Sequence, residues 1–222
     1  MAKKSVGIIT YVRFFNYGTV LQAYALQKAT DSLPDVKAEL IDYRFNEKTR
    51  HGFLWYLKVR CKRFFYYFTA TKKIYRKLKY KDVFLKKRSK FNDFFEHDLA
   101  TSDKTYLRGE DLMKQPPLYD IYMVGSDQTW SPLLGLYPPL FLDFAPKGSA
   151  KIAYAPSVGV TSFTNEQKVF YREKLASFKR ISCREDIGAR LLSECFDGDV
   201  PAVLDPTLLL SKEQWEELAV EP

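Results

Sequence analysis

Val6-Gly7-Ile8-Ile9-Thr10-Tyr11, together with the segment that runs on to Tyr43, decides the fold of this chain. The run is short and rich in β-branched residues, and it reads as a strand. Arg13–Gly18 is a loop. Thr19–Leu33 then carries Val20, Leu21, Ala23, Tyr24, Ala25 and Leu26 in a pattern that suits a well-buried helix. Pro34 and Asp35 end it, and Lys37–Tyr43 reads as a second strand through Ala38, Leu40 and Ile41. Strand, helix and strand within roughly 40 residues make a βαβ unit, and that unit requires parallel strands.

The same rhythm returns further along. Strands are expected at Ile121–Val124, Lys151–Ala155, Arg180–Cys183 and Ala202–Leu204. Helices are expected at Gly109–Lys114, Asn165–Phe178 and Arg184–Cys195, with a last one opening at Ser211. Three helix starts carry a capping-box pattern: Thr164 with Gln167, Ser182 with Glu185, and Ser211 with Gln214. The expected fold is α/β: a Rossmann-like, doubly wound and mostly parallel sheet over residues 1–219, with a basic helical insertion over about 48–98.

With 46% hydrophobic residues in 222, the chain can bury a sizeable core. No apolar run approaches the ~18 residues of a membrane span. Met1-Ala2-Lys3-Lys4-Ser5 leads straight into the first strand, without the apolar region of a secretory leader. Cys61, Cys183 and Cys195 are too scattered for a disulfide framework or a zinc site, and His51 and His97 are the only histidines. The chain therefore reads as cytoplasmic and metal-free. Its net charge of +8 is an uneven average, because residues 53–90 hold fourteen Lys or Arg against the single acid Asp82. Aromatic residues such as Trp55, Tyr56, Phe64 and Phe84 interleave with these bases, which suggests one or two helices, continuing through Phe91, Phe94 and Phe95. Such a segment fits an anionic membrane surface, a solvated arm, or nucleic acid. Of these an anionic membrane surface is the expected partner, and nucleic acid is not expected.

In a parallel sheet the loops at the strands' carboxyl ends open on one edge, where such folds bind ligands. Asn16-Tyr17-Gly18 precedes a helix start that favours an anion. Gly125-Ser126-Asp127-Gln128-Thr129-Trp130 offers a carboxylate for sugar hydroxyls, a carboxamide, and a ring to stack on a sugar face. Its bland reading is that Asp127 caps a helix and Trp130 fills core. Ser157 and Gly159 follow the next strand, where small residues also serve tight packing. Arg184 stands at an expected helix start, where a cation opposes the helix dipole. It meets a bound anion there or pairs locally with Glu185 or Asp186. Asp205-Pro206-Thr207 reads as a structural turn.

Taken together, these loops resemble the polysaccharide pyruvyl transferase family. The residues that carry the resemblance are Gly7–Tyr11, Asn16–Leu26, Gly125–Pro132, Lys151–Ala155, Arg184-Glu185 and Asp205–Leu210, in that order across residues 5–219. Thr129 and Ser131 stand where Val and Asn are commoner, and Val158 where Phe is. The resemblance implies one half of a GT-B-like enzyme, its second Rossmann-like half and that half's histidine motif lying outside this chain. It implies transfer of enolpyruvyl from phosphoenolpyruvate, as co-substrate, to a sugar of a cell-surface polysaccharide precursor. The acceptor would be a glycan carried on a lipid, handled at the inner membrane face, and no further cofactor or metal is expected. Arg184 would hold the donor anion and Asp127 would orient or deprotonate an acceptor hydroxyl. Asn16, Tyr17, Gly18, Gly125, Ser126, Gln128, Trp130, Ser157 and Gly159 would line the substrate site. Residues 1–222 alone are expected to be inactive, because general-acid loss costs ~10²–10⁴-fold. Two alternatives stay open: a GT-B-like glycosyltransferase half using a nucleotide sugar, and a non-catalytic remnant that binds glycan or membrane.

Overall fold

The computed structural model describes residues 3–45 and 80–219. The chain divides into two compact units, residues 1–44 with 100–222, and residues 45–99. The first unit is built on five strands: β1 (Lys4–Ile9), β2 (Val36–Leu40), β3 (Ile121–Val124), β4 (Ala150–Ala153) and β5 (Arg180–Ile181). They lie in the order β2-β1-β3-β4-β5, and every pair is parallel. The helices are α1 (Tyr17–Asp31), α2 (Lys81–His97), α3 (Gly109–Lys114), α4 (Asn165–Leu175), α5 (Asp186–Ser193) and α6 (Lys212–Leu218). All but α2 belong to the first unit. This is the α/β, Rossmann-like architecture expected from the sequence.

β1 is an interior strand, paired with β2 on one side and β3 on the other, and this explains its composition. Val6, Ile8 and Ile9 are buried, as a strand covered on both faces requires. Gly7 is there for space, since a Cβ at that position would fall 2.2 Å from the ring carbons of Tyr119. The Tyr119 hydroxyl in turn donates to the Glu39 carboxylate, so the ring is held across β1 as far as β2.

α1 is apolar nearly all round, with Val20, Ala23, Tyr24, Ala25 and Leu26 buried. It starts at Tyr17, two residues earlier than the hydrophobic pattern indicates, because the Asn16 side chain caps it by accepting from the Gly18 N–H at 3.0 Å. The predicted capping boxes form at Thr164/Gln167 and Ser211/Gln214. The third does not. α5 begins only at Asp186, and Glu185 makes no capping bond. The Ser182 hydroxyl is used elsewhere, accepting from the Ala155 N–H at 3.0 Å and donating to the Ala153 carbonyl at 3.2 Å. It ties β5 to the end of β4.

The expected strand Ala202–Leu204 is reduced to one bridge between Ala202 and Cys183. The Cys183 N–H donates to the Pro201 carbonyl at 3.0 Å, and Val203 donates to the Cys183 carbonyl at 2.9 Å. Pro201 has no N–H to extend the ladder on one side, and the Asp205-Pro206 turn ends it on the other.

In the second unit, α2 buries Phe91 and Phe95, whose rings lie 6.1 Å apart. The helices expected upstream, over 53–79, fall outside the described residues.

Candidate functional site

In the order β2-β1-β3-β4-β5 the direction of winding reverses between β1 and β3, and open α/β sheets bind ligands in the crevice at that point. The two loops flanking it carry Asn16–Thr19 and Gly125–Gln128. They are joined across the crevice by the Thr19 hydroxyl, which donates to Asp127 Oδ2 at 2.9 Å. Beneath, the Thr10 hydroxyl donates to the Ser126 carbonyl at 2.7 Å. The buried Gln22 amide donates to the Thr19 carbonyl at 2.9 Å and approaches Thr10 Oγ1 and the Tyr11 carbonyl, each at 3.2 Å. A polar network thus clamps the end of β1, the start of α1 and the end of β3 together.

Asp127 has φ = 78°, and Ala155, at the end of the neighbouring strand, has φ = 53°. Left-handed backbone at residues other than glycine costs roughly 1–3 kcal/mol each and is found where surrounding structure enforces it, often at functional sites. Here the two loops enforce it mutually. Asp127 bridges Pro156, and the Ser157 N–H donates to the Asp127 carbonyl at 2.8 Å. The Asp127 side chain steadies its own turn as well, with Oδ1 accepting from the Gln128 N–H at 2.7 Å. A carboxylate has about four acceptor positions, so two protein donors leave capacity for a ligand. The result is a half-buried carboxylate held in one orientation at the switch point.

The rim continues from there. The Arg184 N–H donates to the Pro156 carbonyl at 3.3 Å, so the loop after β5 abuts the loop after β4. The Arg184 guanidinium forms a local ion-pair cluster, with Nε 3.1 Å from Glu185 Oε1 and Nη1 3.0 Å from Asp205 Oδ2. Burial works against this cation, but the hydrogen bonds and charges of Glu185 and Asp205 outweigh it and hold the Arg184 pKa above its ordinary value. Of the two meanings the sequence allowed for Arg184, the structure displays the ion pair. Asp205 is the partner not foreseen. Its other oxygen accepts from the Thr207 N–H and hydroxyl, at 3.0 and 2.8 Å, and makes the expected turn. Just beyond, Tyr154, Ala202, Val203, Leu204 and Leu209 line an open apolar groove of about 480 Å³.

Several expectations are corrected. Trp130 is fully buried, stacked on Phe141 at 5.5 Å with Phe178 edge-on at 5.6 Å. Its Nε1–H donates to the Leu140 carbonyl at 2.8 Å. It is a core residue and offers no face to a sugar. Gly125 is buried and serves packing, since a Cβ there would meet Thr10 Cβ at 2.9 Å and Leu26 Cδ2 at 3.0 Å. Ser126 is fully buried, with its hydroxyl turned inward and without a hydrogen-bond partner among the described residues. Ser157 is buried too, and its N–H rather than its side chain joins the rim. Asn16 spends its side-chain oxygen on the α1 cap. Gly18 has room for a side chain, its nearest neighbour being Asn16 Oδ1 at 3.6 Å from a Cβ there, so the fold itself does not demand glycine. Tyr17, Gly18, Gln128 and Gly159 are exposed along the rim. Gly159 has φ = 62°, and a Cβ on it would stand 3.2 Å from the buried Ser131 hydroxyl.

Sequence reasoning missed Thr19, Gln22 and the buried Asp42. Asp42 accepts from Arg13 Nε and Nη2 at 2.9 and 2.8 Å and from the Thr105 hydroxyl at 2.7 Å. It pins the β1–α1 loop to the end of β2. A carboxamide inside the apolar run Val20–Leu26 was the available signal for Gln22. Thr19 and Asp42 have none, because their partners lie 108 and 29 residues away.

Among the described residues no group of three His, Cys, Asp or Glu gathers to hold a metal ion, and no helix is long and apolar enough to cross a membrane. Comparison with curated proteins and with solved structures gives no match. The family profile for polysaccharide pyruvyl transferase matches residues 16–221, nearly the whole chain and every loop of the rim from the α1 cap to the Asp205 turn. The chain belongs to the polysaccharide pyruvyl transferase family.

Proposed function

We propose that this chain takes part in moving enolpyruvyl from phosphoenolpyruvate to two hydroxyls of a sugar in a cell-surface polysaccharide precursor. The observation that supports this most is the Thr19–Asp127 bond across the β1/β3 switch point, within a chain whose family is a transferase family. The reaction needs one sugar oxygen to bond to C2 of the donor while its methylene C3 gains a proton. The second sugar oxygen then bonds to the same carbon as the C–O bond to phosphate breaks. Two hydroxyl protons are given up. One is balanced by the proton gained at C3, and the other leaves with inorganic phosphate.

Asp127 is the proposed base. Its orientation is set by Thr19 and the Gln128 N–H, so a hydroxyl brought to its remaining lone pairs is aligned without further reorganisation. Gln128, Tyr17 and the exposed backbone at Gly18 and Gly159 are the proposed acceptor contacts. Arg184 is the proposed anchor for the donor's carboxylate or phosphate, which requires it to exchange a partner. Glu185 is the one to yield, since its side chain is 41% exposed and such pairs are worth only ~0–1 kcal/mol. Asp205 is also tied to Thr207 and stays. The acceptor is a glycan, lipid-linked in this reading, and the work is done on the cytoplasmic side of the membrane.

Thermal unfolding of the purified chain with phosphoenolpyruvate, and separately with uridine and guanosine diphosphate sugars, tests this. Phosphoenolpyruvate alone should raise the melting temperature, and Arg184→Ala should abolish the rise. Stabilisation by a nucleotide sugar instead would replace the reading with a glycosyltransferase one. No shift with any of them would leave a non-catalytic glycan-binding role.

A further inference from the structure

The amino-terminal half of α2 buries almost nothing. Val83, Phe84 and Leu85 are 64%, 57% and 53% exposed, and Lys81 and Arg88 are exposed beside the last two. Burial on this helix begins only with Phe91 and Phe95. Residues three and four apart share a helix face, so Lys81, Phe84, Leu85 and Arg88 form one face, while Val83 lies with Lys86 and Lys90 on another. Asp82 is the sole acid between Tyr80 and Lys90. Phe84 and Leu85, left in water on one face between two cations, have no explanation in the packing of the described residues. Cations alone would suit any polyanion. Exposed Phe and Leu gain from a partner that also has an apolar layer just beneath its charge, and an anionic lipid surface is such a partner.

We propose that Lys81–Arg88 docks on anionic lipid, with Phe84 and Leu85 entering the boundary between headgroups and acyl chains and Lys81 and Arg88 meeting lipid phosphates. Long Lys and Arg stems allow this, because they lie along apolar surface while the charged group stays at the phosphate level. The docking does not depend on pyruvyl transfer, so the two readings fail separately.

Flotation of the full chain with phosphatidylcholine vesicles, with and without phosphatidylglycerol, is the test. Binding is expected only to the anionic vesicles, weakening as salt rises. Lys81→Gln and Arg88→Gln combined should weaken it roughly 30-fold, at about one near-surface cation's contribution each. Phe84→Ser with Leu85→Ser should also weaken it while leaving the salt dependence in place. Because these side chains are exposed, the melting temperature of both variants should match the parent, and this confirms that they remain folded. Absence of binding, equal binding to neutral vesicles, or variants that bind like the parent would each overturn the proposal. So would displacement of the vesicles by single-stranded RNA at lower concentration than by free anionic lipid, which would assign the cations to nucleic acid.

Discussion

Replacing Trp130 with Phe separates a core role from a sugar-binding one. The indole Nε1–H donates to the Leu140 carbonyl at 2.8 Å, and both residues are fully buried. Phenylalanine cannot donate, so that carbonyl would be left without its partner, which costs ~1–3 kcal/mol. The smaller ring also leaves a gap between Phe141 and Phe178, each now within 5.6 Å of the indole centroid. At ~24 cal/mol per Å³ of residual cavity, the missing ring edge adds roughly 1 kcal/mol. The sum is about 2–4 kcal/mol. For a protein of this size each kcal/mol moves the melting temperature by ~2–4 °C, so Trp130→Phe should melt roughly 5–15 °C lower by circular dichroism. Trp130→Ala should cost more, about 3–5 kcal/mol. A melting temperature for Trp130→Phe within ~2 °C of the parent, with glycan binding lost, would refute the placement of Trp130 in the core and restore it to the site.

Gly7→Ala should destabilise by about 1–3 kcal/mol through overpacking, because the new methyl group would meet the Tyr119 ring, itself held by Glu39. Adding Tyr119→Ala should recover part of that loss, and strictly additive losses in urea melts would contradict the clash. Alkaline pH offers a further check. Burial, first of all, pushes the Cys183 thiol up to about 11 and the Tyr43 phenol to about 12, from ordinary values of 9.0 and 10.0. A raised folded-state pKa gives stability that is complete below the unfolded value and lost as pH climbs through the folded one. The urea midpoint should therefore hold up to about pH 9 and then fall between about 9 and 12. Cys183→Ala should remove the earlier part of the fall, and a midpoint that stays flat through pH 11 would show these groups to be solvated.

Strand and helix positions were legible wherever local physics decides them. The β1–α1–β2 unit, α3, and the capping boxes of α4 and α6 stand close to where the residue pattern puts them, because burial periodicity and capping act within a few residues. Misreadings arose where a residue had a choice of partners. Ser182 carries the local signature of a cap, yet in the folded chain it bonds to Ala153 and Ala155 on the adjacent strand. Trp130 sits in a loop of polar residues, and only the ring stack from Phe141 and Phe178 shows that it points inward.

By itself the sequence determined that this chain is a parallel α/β protein, that its loops follow the order seen in pyruvyl transferases, and that its positive charge is concentrated in one stretch. Each of these depends on neighbours in the chain or on composition. The tertiary structure alone decided the strand order, and with it the switch point between β1 and β3. It also decided that Thr19 meets Asp127, that Asp205 shares Arg184 with Glu185, and that Trp130 and Gly125 serve packing. Those outcomes depend on which distant loops are brought to the same edge of the sheet, and no short-range pattern encodes a contact between residues separated by a hundred positions.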